Sequence, residues 1–155
     1  MDESQLPRLL EAAKEAAREA GEEILKHQGD PNGHWEKGVD DPVTQADYAA
    51  DTLLRERLMA ACPECGWQSE ETVDDQSRLE KDWVWVVDPL DGTKEFLTQV
   101  PEFSVSIGLV HNGQPRLGVV YNPATREMIA GADGCDVTYM DRTTSVSDVT
   151  TRSEA

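Results

Sequence analysis

Two segments in the first 61 residues carry apolar residues at the helical spacing of three and four positions. The first, from Ser4 to about Lys26, predicts an amphipathic helix with one packed face and one solvated face. The second is predicted to open at Thr44-Gln-Ala-Asp47, which has the form of a capping box, and to continue from Tyr48 to Ala61. The glycine-containing residues from His27 to Asp41 predict a loop between these helices, and its length is typical of loops that carry function.

The later part of the chain has a β pattern. Trp83 to Val87 is a run of aromatic and β-branched residues, which is typical of a strand buried on both faces. His111-Asn-Gly-Gln114 predicts a hairpin turn. Further strands are predicted around this turn and after it, at 103–110, 117–121, 128–132 and 136–140. Because the connections are short, we expect an antiparallel meander, and therefore an α+β fold with two helices packed on a mostly antiparallel sheet.

The tryptophan and valine strand runs directly into an acidic turn, Asp88-Pro-Leu-Asp91-Gly-Thr93. Pro89 favours an extended Asp88, and Gly92 can adopt the positive φ that lets the backbone fold back. Two carboxylates, a hydroxyl and a main-chain carbonyl should then converge, and such an oxygen-only set suits Mg²⁺, Mn²⁺ or Ca²⁺. The alternative is ordinary turn chemistry, in which each Asp bonds its own backbone. The turn alone leaves both interpretations open.

The charge of the chain limits its partners. Its 14 basic and 31 acidic side chains give a formal net charge of −17, which repels nucleic-acid polymers and acidic membrane surfaces. A polyanionic substrate would need cations to bridge it to such a protein. No targeting segment or membrane-length apolar run is visible, so we expect a cytoplasmic protein without stable membrane insertion. We also expect residues 1–155 to form a single domain with a packed core.

The cysteines and histidines give little sign of chemistry. Three cysteines are an odd count, which argues against a disulfide framework. Cys62-Pro-Glu-Cys65 has the form of a redox pair or half a zinc site, but it follows a helix and has no second Cys/His pair nearby. His27 and His34 lie in the predicted loop, where a lone histidine is usually solvated. We therefore expect neither group to be functional.

Three separated segments together resemble the inositol-monophosphatase-like family of Mg²⁺-dependent, lithium-sensitive phosphomonoesterases. They are Asp41-Pro-Val-Thr44-Gln-Ala-Asp47, Ser69-Glu70-Glu71 and Asp88-Pro-Leu-Asp91-Gly-Thr93-Lys-Glu-Phe96. The ending Lys94-Glu95-Phe96 is similar to the 3′(2′),5′-bisphosphate nucleotidase branch, the CysQ type, which acts in sulfur assimilation. The resemblance implies a layered sugar-phosphatase-like fold. It covers only the N-terminal portion of a typical member, so the C-terminal α/β half is expected to be missing.

The resemblance also implies a metal site. Glu70, Asp88 and Asp91 would hold two or more Mg²⁺ ions, with Mn²⁺ as a substitute. Asp88 would bridge two ions, and the Leu90 carbonyl would complete one coordination shell.

The resemblance further implies how a small phosphorylated substrate would be handled. Gly92 and Thr93, at the start of a short helix, would offer main-chain N–H groups to the phosphate. Thr93, hydrogen-bonded to Asp47, would act with Glu70 to orient the attacking water. Lys37 corresponds to a basic residue near the active site of the family, with a less defined role.

The expected reaction is removal of the 3′-phosphate of 3′-phosphoadenosine 5′-phosphate or its sulfated relative. Inositol 1-phosphate and fructose 1,6-bisphosphate are the alternative substrates. A third possibility is a non-catalytic remnant that binds metal or a partner chain. Loss of the downstream half would expose apolar surface in such a remnant, which favours self-association.

Overall fold

The computed structural model describes residues 2–29, 34–38 and 41–146, without the side chains of 34–38 and 41–43. Three α-helices lie in this part of the chain: α1 (Leu6–Lys26), α2 (Gln45–Ala61) and α3 (Thr93–Leu97). Two single 3₁₀ turns, Glu3–Gln5 and Ser77–Glu80, accompany them. The described strands are β1 (His34–Gly38), β2 (Asp41–Thr44), β3 (Gly66–Ser69), β4 (Trp83–Asp91), β5 (Ser104–His111), β6 (Gln114–Asn122), β7 (Glu127–Ala132), β8 (Thr138–Tyr139) and β9 (Arg142–Thr143).

Helices α1 and α2 form where the apolar spacing predicts them. A 3₁₀ turn precedes α1, and a proline in the first turn of α1 fits because its missing N–H would have no helical partner there. The buried face of α1 is the predicted one: Leu6, Leu9, Leu10, Ala13, Ala16, Ala17, Ala20 and Ile24. Small alanines in the middle of this face let α1 lie close to α2 and to the sheet.

Strands β3 to β9 form one sheet in that order. Neighbours from β4 to β9 pair antiparallel, which confirms the predicted meander, whereas β3 pairs parallel to β4. Helices α1 and α2 cover one face of this sheet. The core between the layers includes fully buried Trp85, Ile107, Leu109 and Val119. This arrangement confirms the α+β prediction of two helices on a mostly antiparallel sheet.

The prediction that β4 is buried on both faces is wrong. Burial alternates along it: Trp83, Trp85 and Val87 point toward the helices, while Val86 on the opposite face is 37% exposed. The same alternation leaves Val120 and Ile129 exposed on β6 and β7. Valine has high β propensity whether or not its face is covered, so composition alone misled the assignment. We call the surface formed by Val86, Val120, Ile129 and Val137 the open sheet face.

Three other boundaries differ from the sequence prediction. The predicted loop from His27 to Asp41 contains β1, which pairs antiparallel with β2 as a separate two-stranded sheet. The predicted strand at 136–140 is reduced to β8, and β9 forms in the polar segment after it. β3 had no strand assignment from the sequence. Each of these elements is at most five residues long, so its periodicity is too short to read.

The odd cysteine count argued against a disulfide framework, yet one local bridge is present, between Cys62 and Cys65. Cys62 is the C-cap of α2, and the Cys65 N–H donates to the Cys62 carbonyl at 3.2 Å. This turn brings the two Cα atoms to 5.5 Å, within the usual range for a bridge. The odd cysteine count is explained by Cys135, which is free.

No described helix has both the length and the apolar composition needed to cross a membrane.

Candidate active site

The first turn of α2 fixes a buried carboxylate. Thr44 is the N-cap, and its hydroxyl accepts hydrogen bonds from the N–H groups of Ala46 and Asp47. In return, Oδ2 of Asp47 accepts from the Thr44 N–H at 2.7 Å and from its hydroxyl at 2.5 Å. Asp47 is only 2% exposed. The predicted capping box is therefore present, and it holds the other oxygen of Asp47, Oδ1, in a defined direction.

Parallel pairing of β3 with β4 places Glu70 beside Asp88. Ser69 is in register with Val87, and the Glu70 N–H donates to the Val87 carbonyl at 3.4 Å. In a parallel register the next residue along each strand is again a neighbour, so Glu70, after Ser69, lies next to Asp88, after Val87. Two acidic residues that are 18 positions apart in the chain become neighbours in this way.

The acidic turn is formed by an irregularity in β4. Pairing with β5 is regular up to Asp88 and resumes at Asp91, so the two residues between them bulge out of the ladder. Proline is tolerated at such a bulge because it has no N–H to donate. Oδ1 of Asp88 accepts from the Leu90 N–H at 3.2 Å, which closes the bulge.

Gly92 ends the turn in a conformation that requires glycine. Its φ is +89°, and a Cβ there would lie 2.7 Å from the Glu102 carbonyl oxygen. The backbone then enters α3 directly at Thr93. Glycine is needed here both for the left-handed backbone and for the close approach of the 102–103 segment.

Thr93 connects this turn to α2. Its hydroxyl lies 3.2 Å from Oδ1 of Asp47 and 3.1 Å from the Leu90 carbonyl, with both as acceptors. A hydroxyl carries one proton, so one acceptor takes it at a time and the oxygen lone pairs of Thr93 remain free to accept. The hydrogen bond between Thr93 and Asp47 expected from the sequence is therefore present.

These segments line one small polar pocket of about 90 Å³. Its walls are Asp47, Glu70, Glu71, Asp88, Leu90, Asp91, Gly92 and Thr93. A larger cavity, about 710 Å³, lies on the open sheet face and is lined mainly by apolar residues. Size would favour the larger cavity, but the convergent carboxylates and hydroxyl are in the smaller one. We take the small pocket, which we call the acidic pocket, as the candidate active site.

Burial and like charges perturb the carboxylates of the acidic pocket. Burial, followed by the negative charges of Glu70 and Asp91, raises the pKa of Asp88 to about 7. Burial also raises the pKa of Asp47, against the hydrogen bonds from Thr44 and Thr93 that oppose the rise. A cation in the pocket would favour the charged form of Asp88.

The donor set fits a hard divalent cation. Carboxylate oxygens and one main-chain carbonyl are the ligands that Mg²⁺ and Mn²⁺ prefer. Burial first, and then the neighbouring negative charges, raise the pKa of Asp88, so a cation in the pocket would offset both effects. Among the described residues, however, no three His, Cys, Asp or Glu side chains already form a closed ligand group. Glu70 and Asp91 are exposed, and without a cation their carboxylates repel Asp88.

Seven of the eight predicted site residues line the acidic pocket. The eighth, Lys37, lies in β1, and its side chain is outside the described residues. Sequence reasoning missed Asp51, a buried residue of α2 that contacts the segment carrying Glu70. The available signal was its position four residues after Asp47, on the same helix face.

The profile of the inositol monophosphatase family matches residues 5–155. The chain belongs to the inositol monophosphatase family. Among members of the family, the 3′(2′),5′-bisphosphate nucleotidase CysQ of Salmonella typhimurium is 41% identical over 130 residues, covering 81% of this chain and 52% of the relative. The inositol-1-monophosphatase of Synechocystis is 37% identical over 145 residues, covering 93% of this chain and 50% of the relative.

Solved structures of the inositol monophosphatase family share the fold. The extragenic suppressor protein suhB from Bartonella henselae superposes with a TM-score of 0.82 at 32% identity, covering 92% of this chain and 55% of that protein. The layered arrangement of helices on a mostly antiparallel sheet is thus common to both. The chain spans about half the length of the curated relatives it matches.

Proposed function

We propose that this chain contributes the acidic pocket of a Mg²⁺-dependent phosphomonoesterase. The observation that carries the proposal is the convergence of Glu70, Asp88, Asp91 and the Asp47–Thr93 pair on one small pocket. Relatives with named phosphatase activities support it.

Glu70, Asp88, Asp91 and the Leu90 carbonyl, which line the acidic pocket, would hold the cation, and the family resemblance supports Asp88 as a shared ligand. A bound divalent cation would polarise the phosphoryl group and neutralise negative charge on the departing oxygen. It would also let a dianionic phosphate approach a chain whose own charge is −17. We propose two or more Mg²⁺ ions, with Mn²⁺ as a substitute and Li⁺ as an inhibitor.

The residues of the chain would position the nucleophile. Because the Thr93 hydroxyl donates its proton in a hydrogen bond to Asp47 or to the Leu90 carbonyl, its oxygen can accept a hydrogen bond from one O–H of a water and so orient it. Glu70 would take one proton from that water, as the general base. Main-chain N–H groups of Gly92 and Thr93 would donate to the phosphate oxygens, and Lys37 is proposed as a nearby cation.

We further propose 3′-phosphoadenosine 5′-phosphate as the substrate. The water oxygen would form a bond to the 3′-phosphorus, the bond from phosphorus to the ribose 3′-oxygen would break, and a proton would pass to that oxygen. The products are AMP and inorganic phosphate, with no covalent phosphoenzyme. Support comes from the similarity to the CysQ nucleotidase and from Lys94-Glu95-Phe96 after the turn. This substrate implies a role in sulfur assimilation in the cytoplasm.

A phosphate-release assay tests both the proposed phosphatase activity and the proposed substrate. The assay compares 3′-phosphoadenosine 5′-phosphate, inositol 1-phosphate and fructose 1,6-bisphosphate with Mg²⁺, with and without Li⁺. It uses the 155-residue chain and a chain extended to the length of its relatives, with Asp88→Asn as the inactive control. Faster release from inositol 1-phosphate would reassign the substrate. No release from any substrate by either chain would remove the enzymatic proposal.

The second candidate is a non-catalytic chain that associates with a protein. The open sheet face favours it, because apolar side chains are exposed together there around a cavity of about 710 Å³. Mg²⁺ calorimetry and light scattering separate the two candidates. Association without metal binding or turnover supports the second candidate, and metal binding with turnover supports the first, whether or not the chain associates.

A further inference from the structure

Asp51 accepts hydrogen bonds from one residue before Glu70 and one residue after it. It lies on α2, is 7% exposed, and one of its carboxylate oxygens accepts a hydrogen bond from the Ser69 hydroxyl. The other oxygen accepts from the Thr72 hydroxyl at 2.8 Å. Both oxygens of one buried carboxylate are thus used on residues 69 and 72, which flank Glu70 and Glu71.

The Ser69 and Thr72 hydroxyls also accept hydrogen bonds from other groups in the same segment. The Ser69 oxygen accepts from the Glu71 N–H at 3.2 Å, and the Thr72 oxygen accepts from the indole N–H of Trp67 at 3.4 Å. The Glu70 N–H also donates to the Val87 carbonyl of β4. The segment is therefore held by hydrogen bonds at three residues: Ser69, Glu70 and Thr72. Glu70 itself is exposed, so backbone position rather than packing determines where its carboxylate can reach.

Helix α2 therefore supports the two acidic segments through two carboxylates that are one turn apart. Asp47 accepts from Thr93 in the turn after β4, and Asp51 accepts from the segment after β3. Residues four apart in a helix lie on the same face, so both segments are positioned against one rigid element.

We propose that Asp51 is a positioning residue for Glu70, holding residues 69–72 so that the Glu70 carboxylate can join Asp88 and Asp91 around a divalent cation. The inference rests on the proposed function, since it assigns Asp51 a role in the same metal site. Groups that orient a metal ligand typically affect metal affinity about 10- to 100-fold when they are removed.

The test measures Mg²⁺ and Mn²⁺ binding to the 155-residue chain by calorimetry. Asp51→Ala removes both contacts, and we expect it to raise the dissociation constant at least about tenfold. Asp51→Asn keeps the size and one acceptor oxygen, so its constant should lie between those of Asp51→Ala and the unmodified chain. Leu58→Ala is the control, because it removes a fully buried side chain of the same helix away from residues 69–72.

Unchanged affinity in both Asp51 variants would overturn the proposal, and so would an equal loss in Leu58→Ala. Amide hydrogen exchange of metal-free protein provides a second readout. Faster exchange confined to Glu70 and Glu71 in the Asp51 variants supports positioning, and exchange equal to that of the unmodified chain overturns it. If the unmodified chain binds neither ion, the metal role of Asp51 in this chain fails, whereas phosphate release by the extended chain still decides the proposed function and hydrogen exchange still decides whether Asp51 orders the segment.

Discussion

Asp88 carries the main electrostatic cost of the acidic pocket when no cation is bound. Its pKa of about 7 means that near neutral pH the folded chain holds a proton that the unfolded chain, with an Asp pKa near 3.8, has released. A group that binds more protons in the folded state contributes stability that falls as pH rises between these two values. Above about pH 7, both states are ionised and the contribution is constant.

Asp88→Asn should therefore stabilise the metal-free chain at pH 8. Because Asp88 is only partly buried, solvent screens its charge, and we expect a gain of about 1–2 kcal/mol. The gain should be smaller at pH 5, because there the folded chain avoids the charge by keeping Asp88 protonated. Urea denaturation in EDTA at both pH values measures it, and an equal difference at pH 5 and pH 8 would contradict the assignment. Added Mg²⁺ should stabilise the unmodified chain more than the variant.

Gly92→Ala should destabilise the chain by about 2–4 kcal/mol, because a left-handed alanine is strained and its Cβ would meet the Glu102 carbonyl. Gly113→Ala is the matched control, since Gly113 also has a positive φ, +78°, but no atom lies within 4 Å of its added Cβ. In the control, the free energy of unfolding should fall by only about 1 kcal/mol. Chemical denaturation measures both, and similar losses would show that close approach at Gly92 is unimportant.

At the scale of elements, the N-terminus of α2 determines where the carboxylate of Asp47 points. Thr44→Ala removes the cap and a hydroxyl that donates to this buried carboxylate, so we expect a loss of about 1–2 kcal/mol in the free energy of unfolding. Thr44→Ser keeps the hydroxyl and should lose less. Urea denaturation compares the two, and equal losses would mean that the hydroxyl contributes nothing.

Local signals predicted the elements whose information is contiguous in the chain. The apolar stripe of α1, the capping box at Thr44 and the hairpin at 111–114 each lie within one short segment, and all are present. The acidic turn was also predicted, since proline and glycine restrict its backbone locally. These segments supplied most of the residues of the acidic pocket.

Non-local pairing could not be predicted in the same way. β3 has four residues, and only its parallel register with β4 brings Glu70 beside Asp88. The family resemblance implied that these residues meet, but no property of the Gly66–Ser69 sequence specifies that pairing. Asp51 was missed for a related reason, because its partners Ser69 and Thr72 are 18 and 21 residues away in the chain.

At the scale of the whole molecule, the sheet is covered on one face only among the described residues. Val120 and Ile129 are 42% and 46% exposed on the open sheet face, although their neighbours in the same strands are buried. Pairing this face with a second copy would remove apolar surface from water, while a net charge of −17 on each chain opposes the encounter.

We expect this chain to self-associate through the open sheet face, and more strongly in salt. Analytical ultracentrifugation at about 50 mM and about 500 mM NaCl should show a shift toward the larger species as screening increases. Val120→Lys with Ile129→Lys should restore the monomer by placing charges in the interface. Val73→Lys, at an exposed position away from this face, is the control and should still associate. A monomer at both salt concentrations would contradict the expectation.

The position of β3 in the sheet has a thermal consequence. Among the described strands, β3 is an edge strand of four residues that pairs on one side, with β4, whereas β4 lies between two neighbours. Edge elements with few partners detach in local opening events that cost less free energy than complete unfolding. Glu70 follows this edge, while Asp88 and Asp91 belong to the interior strand. On warming, detachment of β3 should withdraw one carboxylate from the proposed metal site, and so weaken its hold on any cation, while the rest of the sheet is still folded.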